Sequence, residues 1–183
     1  ISDGKAIPGI ELKIADGNDN ELPRGETGRL LVRGASQCVG YYKKPELNAL
    51  TEDDWFDSGD LAFMDQEGYI RINGRSKDIV IRGAENIPVI EIENLLYQHP
   101  AIATVAIVGF PADRLGERAC AFVSLKEGAS FSFEDMIQYL KEKKVANQYF
   151  PEKLEIRSDL PRTPSGKLQK FMLRDEAKSF RID

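Results

Sequence analysis

Residues that bind metals or form cross-links are scarce in this sequence of 183 residues, which has two cysteines and one histidine. Cys38 and Cys120 lie far apart in the chain, and His99 cannot complete a set of zinc ligands with them. These counts exclude a structural zinc site and a disulfide scaffold. They also disfavour a catalytic triad or dyad with an imidazole base, because His99 directly precedes Pro100, where a helix end is the simpler interpretation.

Long apolar runs and an excess of positive charge are also lacking. No apolar stretch approaches the roughly 18 residues of a membrane span, and the first residues do not have the basic and apolar segments of a secretory signal. The 25 Lys and Arg residues against 30 Asp and Glu residues give a formal net charge of -5, which argues against a protein that coats nucleic acid or anionic membrane. We therefore expect a soluble cytoplasmic protein with no nucleic-acid partner and no transmembrane segment.

Residues 1–76 contain short strand-like runs separated by turns. Residues 10–14 alternate apolar and polar side chains before an Asp-Gly turn, which is typical of a half-buried strand. Further runs follow at residues 28–33, 61–64 and 69–73, and a hairpin-like turn joins the last two. We predict a small antiparallel sheet or β-barrel-like arrangement for this part.

From residue 79 onward the pattern predicts alternating strands and helices. A strand at 79–81 and a loop at 82–88 precede a helix with Ile92 and Leu96 on its apolar face. Two later runs of apolar and β-branched residues, at 103–109 and 119–125, predict buried strands. The chain therefore changes its pattern close to residue 77.

The remaining elements complete a compact second domain. Ser132, with Asp135 three positions later, predicts a helix that begins with a capping box. The other predicted elements are a strand near 154–156, a loop at 160–166 and a helix from about 168 to 178. The predicted fold class is α+β, with an antiparallel β-barrel-like part at 1–76 followed by a domain at 77–183 that has a small sheet flanked by helices.

Two short motifs in the first part contain charged side chains beside glycine. Residues 74–78 read Gly-Arg-Ser-Lys-Asp, in which glycine permits close approach to a phosphate or ribose and Arg75 supplies a forked set of donors. Asp60, in Ser-Gly-Asp, has two oxygens that could accept hydrogen bonds from vicinal ribose hydroxyls. A solvated charged turn explains the first motif about as well, and an Asx turn is favoured for the second on spacing alone.

A third motif, Pro-Arg-Thr-Pro-Ser-Gly-Lys at residues 161–167, combines a rigid loop with a lysine placed to open the last helix. It is not a Walker phosphate-binding loop, because Pro161 replaces the first glycine and Leu168 replaces the Ser or Thr. By composition alone, Lys167 would be an exposed lysine at a helix start.

Taken in order, the motifs resemble the C-terminal motifs of adenylate-forming enzymes. The resemblance covers essentially the whole chain, and the stretch from 149 to 170 is most similar to the acyl-CoA synthetase, or fatty acid–CoA ligase, branch, with short- or medium-chain ligases nearest. The motifs are Gly-Arg-Leu-Leu-Val-Arg-Gly at 28–34, Gly-Tyr-Tyr at 40–42, Trp-Phe-Asp-Ser-Gly-Asp at 55–60, the motif at 74–78, Gly-Ala-Glu-Asn at 83–86, Glu-Ile-Glu at 91–93 and the motif at 161–167.

This resemblance implies a reaction in two steps. A carboxylate attacks the α-phosphate of ATP, accompanied by Mg²⁺, to give acyl-AMP and pyrophosphate, and the thiol of coenzyme A then displaces AMP. The resemblance assigns Asp60 to the ribose hydroxyls and Arg75 to the nucleotide. It makes Lys167 the adenylation lysine, whose charge stabilises the anionic groups as they join.

The resemblance also implies a domain rotation between the two steps. Lys77 has the position of the hinge, and Gly83, Ala84 and Glu85 would line the pantetheine tunnel after rotation. No residue of this chain is assigned to a resident metal. The expected partners are a carboxylate, foremost a fatty acid, together with ATP and CoA.

Parts of the family pattern do not occur in this sequence. The phosphate loop and the acyl pocket lie upstream in the family, so residues 1–76 are expected to be the end of the large domain and the 183 residues are not expected to adenylate alone. Any peripheral membrane contact would then lie in the missing part. Pro88 and Val89 depart from the commoner Tyr-Pro-Ala run. Two alternatives stay open: an amino-acid adenylation domain of a peptide synthetase, and a non-catalytic binding module of the same fold.

Overall fold

The computed structural model describes residues 2–38, 40–45, 49–83 and 85–181. The chain divides into two compact units, Ile1–Lys77 and Asp78–Asp183. Each unit has its own sheet and its own clusters of buried apolar side chains.

The first unit is a five-stranded antiparallel sheet with the strand order β1-β5-β4-β3-β2. Its strands are β1 Gly4–Lys5, β2 Ile10–Ala15, β3 Thr27–Gly34, β4 Phe56–Met64 and β5 Tyr69–Arg75. β1 and β2 form its two edges, so within the described ranges the strands form an open sheet and not a closed barrel. The antiparallel strands predicted for this part are confirmed.

Both faces of this sheet bury apolar side chains because consecutive residues of a strand point to opposite faces. Ile14 and Leu30 stand opposite each other on β2 and β3 and lie in the larger cluster. Leu31, the next residue of β3, lies on the other face with Trp55. The cation of Arg33 lies 4.3 Å from the centre of the Trp55 ring and covers it from solvent.

The turn between β4 and β5 is the predicted hairpin turn. The Asp65 carboxylate accepts hydrogen bonds from the backbone N–H groups of Glu67, at 3.0 Å, and Tyr69, at 2.8 Å. Gly68 has a φ of 86°, a conformation that glycine adopts without the steric cost of a Cβ atom. This turn sets the register that brings the far ends of β4 and β5 together.

The second unit is built around β9, which pairs with three strands. β8 and β6 are antiparallel to β9, β10 is parallel to it, and β7 pairs with β6. The elements of this unit are β6 Val80–Arg82, β7 Glu85–Ile87, α1 Val89–Tyr97, β8 Ile102–Ala112, β9 Gly116–Leu125, α2 Phe133–Glu142, β10 Lys153–Arg157 and α3 Lys170–Ala177.

Helices cover both faces of the β8–β9 pair. Val105 and Ile107 of β8 share a cluster with apolar side chains of α1 and α2. The alternate residues Ala106 and Val108 share a different cluster with Leu173 of α3. Burial on both faces explains why these strands are nearly continuous apolar runs. The α+β class, with a small sheet flanked by helices, is confirmed.

The predicted capping box begins α2. The Ser132 hydroxyl accepts from the Asp135 N–H at 3.1 Å, and the Asp135 carboxylate accepts from the Ser132 N–H at 2.8 Å. Such a cap stabilises a helix by about 1 kcal/mol, whereas burying an apolar side chain such as Met136 or Leu140 contributes about 2 kcal/mol. Packing of the apolar face therefore stabilises α2 more than its cap does. None of the helices in the described residues has the length and apolar character needed to cross a bilayer.

Three predictions about helices and strands in the second unit need correction. The region 82–88, predicted as a loop, contains β7, where Ile87 stands opposite Val80 and both are buried. β8 continues to Ala112, into a region that was predicted as a loop. The last helix begins at Lys170 and not at residue 168, because Leu168 forms a backbone bridge with Arg162.

Candidate functional site

Asp60 and Arg75, which the sequence singled out in separate motifs, are neighbours in the structure. They stand opposite each other on β4 and β5, and Arg75 Nε donates to Asp60 Oδ1 at 3.1 Å. The Asp60 side chain is 24% exposed and that of Arg75 is 66% exposed. Among the described residues, Asp60 Oδ2 has no hydrogen-bond partner. The pair therefore presents an acceptor oxygen and exposed guanidinium donors at one place on the sheet.

Backbone geometry around Asp60 differs from the Asx turn that its spacing favoured. The carboxylate that accepts from the backbone two residues on belongs to Asp57, which receives the Gly59 N–H at 2.8 Å. Gly59 has a φ of 74°, and Asp60 lies within β4. The Ser76 hydroxyl donates to the Gly59 carbonyl at 3.1 Å, which ties the end of β5 to this turn. The Asx-turn prediction for Asp60 was wrong because its neighbour makes that turn.

Arg29 of β3 holds the Asp57 turn in place, a role that the sequence did not reveal. Its Nη1 donates to Asp57 Oδ2 at 2.8 Å, and its other nitrogens bind the Asp16 carbonyl and the Asp19 carboxylate. Hydrogen bonds and charge from Asp19 and Asp57 outweigh burial and raise the pKa of Arg29. The only sequence signal was the position of Arg29 within the motif at 28–34.

Lys77, the expected hinge, lies in a short 3-10 helix, Ser76–Asp78, which contains the boundary between the two units. Asp78, the first residue of the second unit, forms an ion pair with Arg174 of α3. The chain is therefore attached to the second unit immediately after Lys77.

Lys167 lies in a tight loop that is closed upon itself. The Thr163 N–H donates to the Lys167 carbonyl at 2.8 Å, and the Lys167 N–H donates to the Thr163 hydroxyl at 3.1 Å. Gly166 has a φ of 85°, which favours glycine at this turn. Lys167 therefore does not open the last helix, as its sequence position suggested, but precedes it within the loop.

The Lys167 loop is fastened to the sheet by a neighbouring arginine. Arg162 donates to the Thr104 hydroxyl of β8 at 2.8 Å and to the Gly166 carbonyl at 3.0 Å. The Lys167 side chain is exposed, and no described residue forms a hydrogen bond or ion pair with its Nζ atom. A fixed loop thus presents a cation that no described residue compensates, and such a cation can bind an anionic group.

Gly83 and Glu85, two of the three expected tunnel residues, lie at the tip of the β6–β7 hairpin; Ala84 lies outside the described residues. Gly83 has a φ of 58°, and its N–H donates to the Leu115 carbonyl at 2.8 Å. The Glu85 carboxylate accepts from the Tyr149 hydroxyl at 2.9 Å. Tyr149 is a contact that sequence reasoning did not predict.

A largely buried ion pair attaches α3, the helix after the Lys167 loop, to the core. Lys170 Nζ lies 2.7 Å from Glu93 Oε1, and the two side chains are 17% and 16% exposed. Glu93 also accepts from the Ile107 N–H at 2.5 Å. Burial raises the pKa of Glu93 in spite of the nearby Lys170, so desolvation outweighs the attraction in the pair. Glu93 lies in the Glu-Ile-Glu motif, but its partner could not be read from the sequence.

In the part of the chain that the structure describes, no three His, Cys, Asp or Glu side chains lie close enough together to hold a metal ion.

Comparisons with known proteins show what the chain is similar to. Residues 91–167 match the family described as the AMP-binding enzyme C-terminal domain. The chain is 45% identical over 178 residues to the medium-chain fatty-acid–CoA ligase of Escherichia coli strain K12, covering 96% of this chain and 31% of that protein. It is 44% identical over 176 residues to the putative acyl-CoA synthetase YngI of Bacillus subtilis strain 168, covering 94% of this chain and 32% of the relative.

A solved structure supports the same relationship. The crystal structure of ATP-bound MatB from Rhodopseudomonas palustris matches with a TM-score of 0.87 at 34% identity, covering 97% of this chain and 36% of that chain. The chain thus spans about a third of the length of the proteins that it matches.

The fold and the matched range make this chain similar to the C-terminal part of adenylate-forming enzymes. Over residues 91–167 the chain matches the AMP-binding enzyme C-terminal domain, and the two relatives are named as a CoA ligase and a putative acyl-CoA synthetase. The resemblance predicted from the sequence is confirmed.

The Glu93–Lys170 pair yields a prediction about stability. Lys170→Met should lower the free energy of unfolding by about 2 to 3 kcal/mol at pH 7, because it leaves a largely buried carboxylate without its partner. Because the pKa of Glu93 is raised in the folded state, its contribution to stability is present at low pH and is lost as the pH rises through that pKa. A protonated Glu93 carboxyl carries no charge and therefore does not need Lys170 as a partner. The loss should therefore be smaller near pH 5 than at pH 7 in urea titrations followed by circular dichroism.

The double variant Glu93→Gln/Lys170→Met is the matched control and should recover most of the lost stability. An equal loss at both pH values, or a double variant as unstable as the single one, would contradict the assignment.

Proposed function

We propose that this chain is the C-terminal part of an AMP-forming acyl-CoA synthetase, an acid–thiol ligase that activates a fatty acid. The observation that carries the proposal is the direct pairing of Asp60 with Arg75, the two residues expected to hold the nucleotide. The names of the relatives support it, because the Escherichia coli relative is a medium-chain fatty-acid–CoA ligase and the MatB structure has ATP bound.

In the first step, a carboxylate oxygen forms a bond to the α-phosphorus of ATP while the bond to pyrophosphate breaks. Asp60 would accept hydrogen bonds from the ribose hydroxyls, and Arg75 would both orient Asp60 and contact the nucleotide. Mg²⁺ would enter with ATP as its counter-ion. Lys167 would bridge the substrate carboxylate and the α-phosphate, where its positive charge stabilises the negative charge of the transition state.

In the second step, the CoA thiol releases its proton to the solvent and its sulfur bonds to the acyl carbonyl carbon, while the bond from that carbon to the AMP phosphate oxygen breaks. Lys77 would serve as the hinge about which the domain predicted at residues 77–183 rotates between the steps. This rotation would withdraw Lys167 and bring Gly83, Ala84 and Glu85 to the pantetheine. The absence of a side chain at Gly83 leaves space for the narrow thiol arm.

The rest of such an enzyme would supply the phosphate loop and the acyl pocket, with residues 1–76 forming the end of its large domain. The 183-residue chain by itself would then not form acyl-AMP. The proposed substrate is a short- or medium-chain fatty acid, which the name of the Escherichia coli relative supports. The proposed compartment is the cytoplasm, where ATP and CoA are available. Neither nucleic acid nor a membrane span has a role in this proposal.

The division of labour between the two steps can be tested at Lys167. In the whole enzyme, Lys167→Ala should slow acyl-AMP formation by about 10²- to 10³-fold, because it removes a preorganised cation from the transition state. Thioester formation from supplied acyl-AMP should remain within about twofold of the wild type, since Lys167 has then left the site. The release of pyrophosphate measures the first step. The assay contains ATP, Mg²⁺ and one substrate at a time, taken from a panel of acetate to long-chain fatty acids and a panel of amino acids.

Lys141→Ala, at an exposed lysine near the end of α2, is the control and should change neither step. Equal losses in both steps for Lys167→Ala would contradict the assigned role. Release with amino acids alone would favour a peptide-synthetase domain, and no release by the wild type with any substrate would favour a non-catalytic module.

The hinge can be tested at Lys77. Lys77→Pro should slow thioester formation more than adenylation, because proline fixes φ and removes a backbone donor at the point where rotation is proposed. Lys77→Ala removes the side chain but leaves φ unrestricted and keeps the backbone N–H. It therefore separates the effect of losing the side chain from the effect of restricting the backbone. Single-turnover measurements of both steps give the ratio of rates, and an unchanged ratio in Lys77→Pro would refute the hinge.

A further inference from the structure

Two residues at the tip of the β6–β7 hairpin are held by one segment of the chain, residues 147–152. Arg82 and Glu85 stand opposite each other in this hairpin. Arg82 Nη1 donates to the Gln148 carbonyl at 2.8 Å, and Arg82 Nε lies 3.0 Å from a Glu152 carboxylate oxygen. The first strand of the hairpin is therefore tied to this segment by a side chain.

Glu85, on the second strand of the hairpin, is tied to the same segment from the other direction. Its Oε1 accepts from the Tyr149 hydroxyl at 2.9 Å and from Gln148 Nε2 at 3.3 Å. The Tyr149 phenol is protonated at neutral pH and is therefore the donor, and the hydrogen bond and charge of Glu85 raise its pKa further above the ordinary value. Both strands at the tip are thus bound from outside the hairpin.

The segment that holds the hairpin is itself firmly attached. The Tyr149 ring packs against the main apolar cluster, and Phe150 is only 7% exposed. The Glu152 N–H donates to the Ala119 carbonyl at 2.9 Å, and the Ala119 N–H donates to the Glu152 carboxylate at 3.0 Å. These two hydrogen bonds to β9 give the segment a fixed position, from which the Tyr149 hydroxyl reaches Glu85.

The hairpin has little backbone pairing of its own with the sheet. Between the described residues of β6 and β9, Arg82 and Gly116 are the only backbone pair. The Gly83 N–H also donates to the Leu115 carbonyl, and the Ile81 N–H donates to the Glu117 carboxylate. Because β6 has three residues and one backbone pair with β9, the position of the hairpin tip depends on the side-chain hydrogen bonds and the ion pair made by Arg82 and Glu85. Removing the bonds to residues 147–152 should therefore loosen the tip more than the rest of the unit.

We infer that Tyr149 is a positioning residue for thioester formation: it fixes Glu85, and with it the tip of the hairpin, against residues 147–152. The inference rests on the proposed function, since that function places the hairpin tip beside the pantetheine arm of CoA. Tyr149 would act through Glu85 and not by contact with the reacting atoms. The adenylation step would not depend on it.

The test uses the whole enzyme with Tyr149→Phe, which removes one hydroxyl and keeps the packed ring. Loss of a hydrogen bond to a charged group predicts about tenfold slower acyl-CoA formation from supplied acyl-AMP, mainly through a higher KM for CoA. Acyl-AMP formation should stay within about twofold of the wild type. Tyr139→Phe is the matched control, because the Tyr139 hydroxyl donates to the Leu95 carbonyl, away from the hairpin.

A double-variant cycle separates positioning through Glu85 from a general structural effect. With Glu85→Ala already present, Tyr149→Phe should have no further effect on the KM for CoA. Amide hydrogen exchange on the same proteins should be faster at Asn86 and Ile87 in Tyr149→Phe and unchanged in Tyr139→Phe.

The outcomes distinguish this inference from the function on which it rests. A wild-type enzyme that forms neither acyl-AMP nor acyl-CoA overturns the proposed function, and the inferred role of Tyr149 in thioester formation falls with it. A wild type active in both steps, combined with equal losses in both steps for Tyr149→Phe or with no difference from Tyr139→Phe, overturns the inference alone. Unchanged hydrogen exchange at the hairpin tip also overturns it.

Discussion

Burial of the β8–β9 pair on both faces is the constraint on which the second unit depends. Because alternate side chains of these strands pack against α1 and α2 on one face and α3 on the other, the pair has a single fixed position. Every candidate functional segment of this unit is fastened to it. The Lys167 loop is bonded to Thr104 of β8, and the segment at 147–152 is bonded to Ala119 of β9. The helix after the loop is attached through Glu93, which pairs with Lys170 and accepts from the Ile107 N–H of β8.

The first unit supplies a different kind of constraint, which is strand register. Asp60 and Arg75 meet because β4 and β5 are antiparallel and because the register shifts between Leu61 and Ala62. A strand that slips by one residue turns its side chains to the other face. The turn at Asp57 and the bond between Ser76 and Gly59 hold the local backbone, so the exposed pair is placed by groups that are themselves hydrogen-bonded.

Much of the fold follows from local patterns, and much of the site does not. The alternation in β2, the apolar runs of β8 and β9 and the capping box at Ser132 all predict elements that the structure contains. β7 was missed because three residues are too few for a period to emerge.

The candidate site shows the same limit of sequence reasoning. The order of the motifs singled out Asp60, Arg75 and Lys167. Taken one at a time, the local sequence favoured an Asx turn for Asp60, a solvated charged turn for Arg75 and a helix start for Lys167. The pairing of Asp60 with Arg75 needed the register, and the contact between Glu85 and Tyr149 joins residues that are far apart in the sequence. Long-range contacts of this kind leave no local signal, so the sequence could predict the candidates but not how they are held.

The most direct test of the central claim is whether Asp60 recognises the ribose hydroxyls. Isothermal titration of the whole enzyme with a non-hydrolysable acyl-adenylate analogue, and with its 2′,3′-dideoxyribose counterpart, measures that recognition. The wild type should bind the dideoxy analogue at least about tenfold more weakly, and Asp60→Ala should bind both with similar low affinity, because the acceptor of the hydroxyls is lost. Equal binding of the two analogues by the wild type, or discrimination that persists in Asp60→Ala, would contradict the nucleotide site proposed at the Asp60–Arg75 pair.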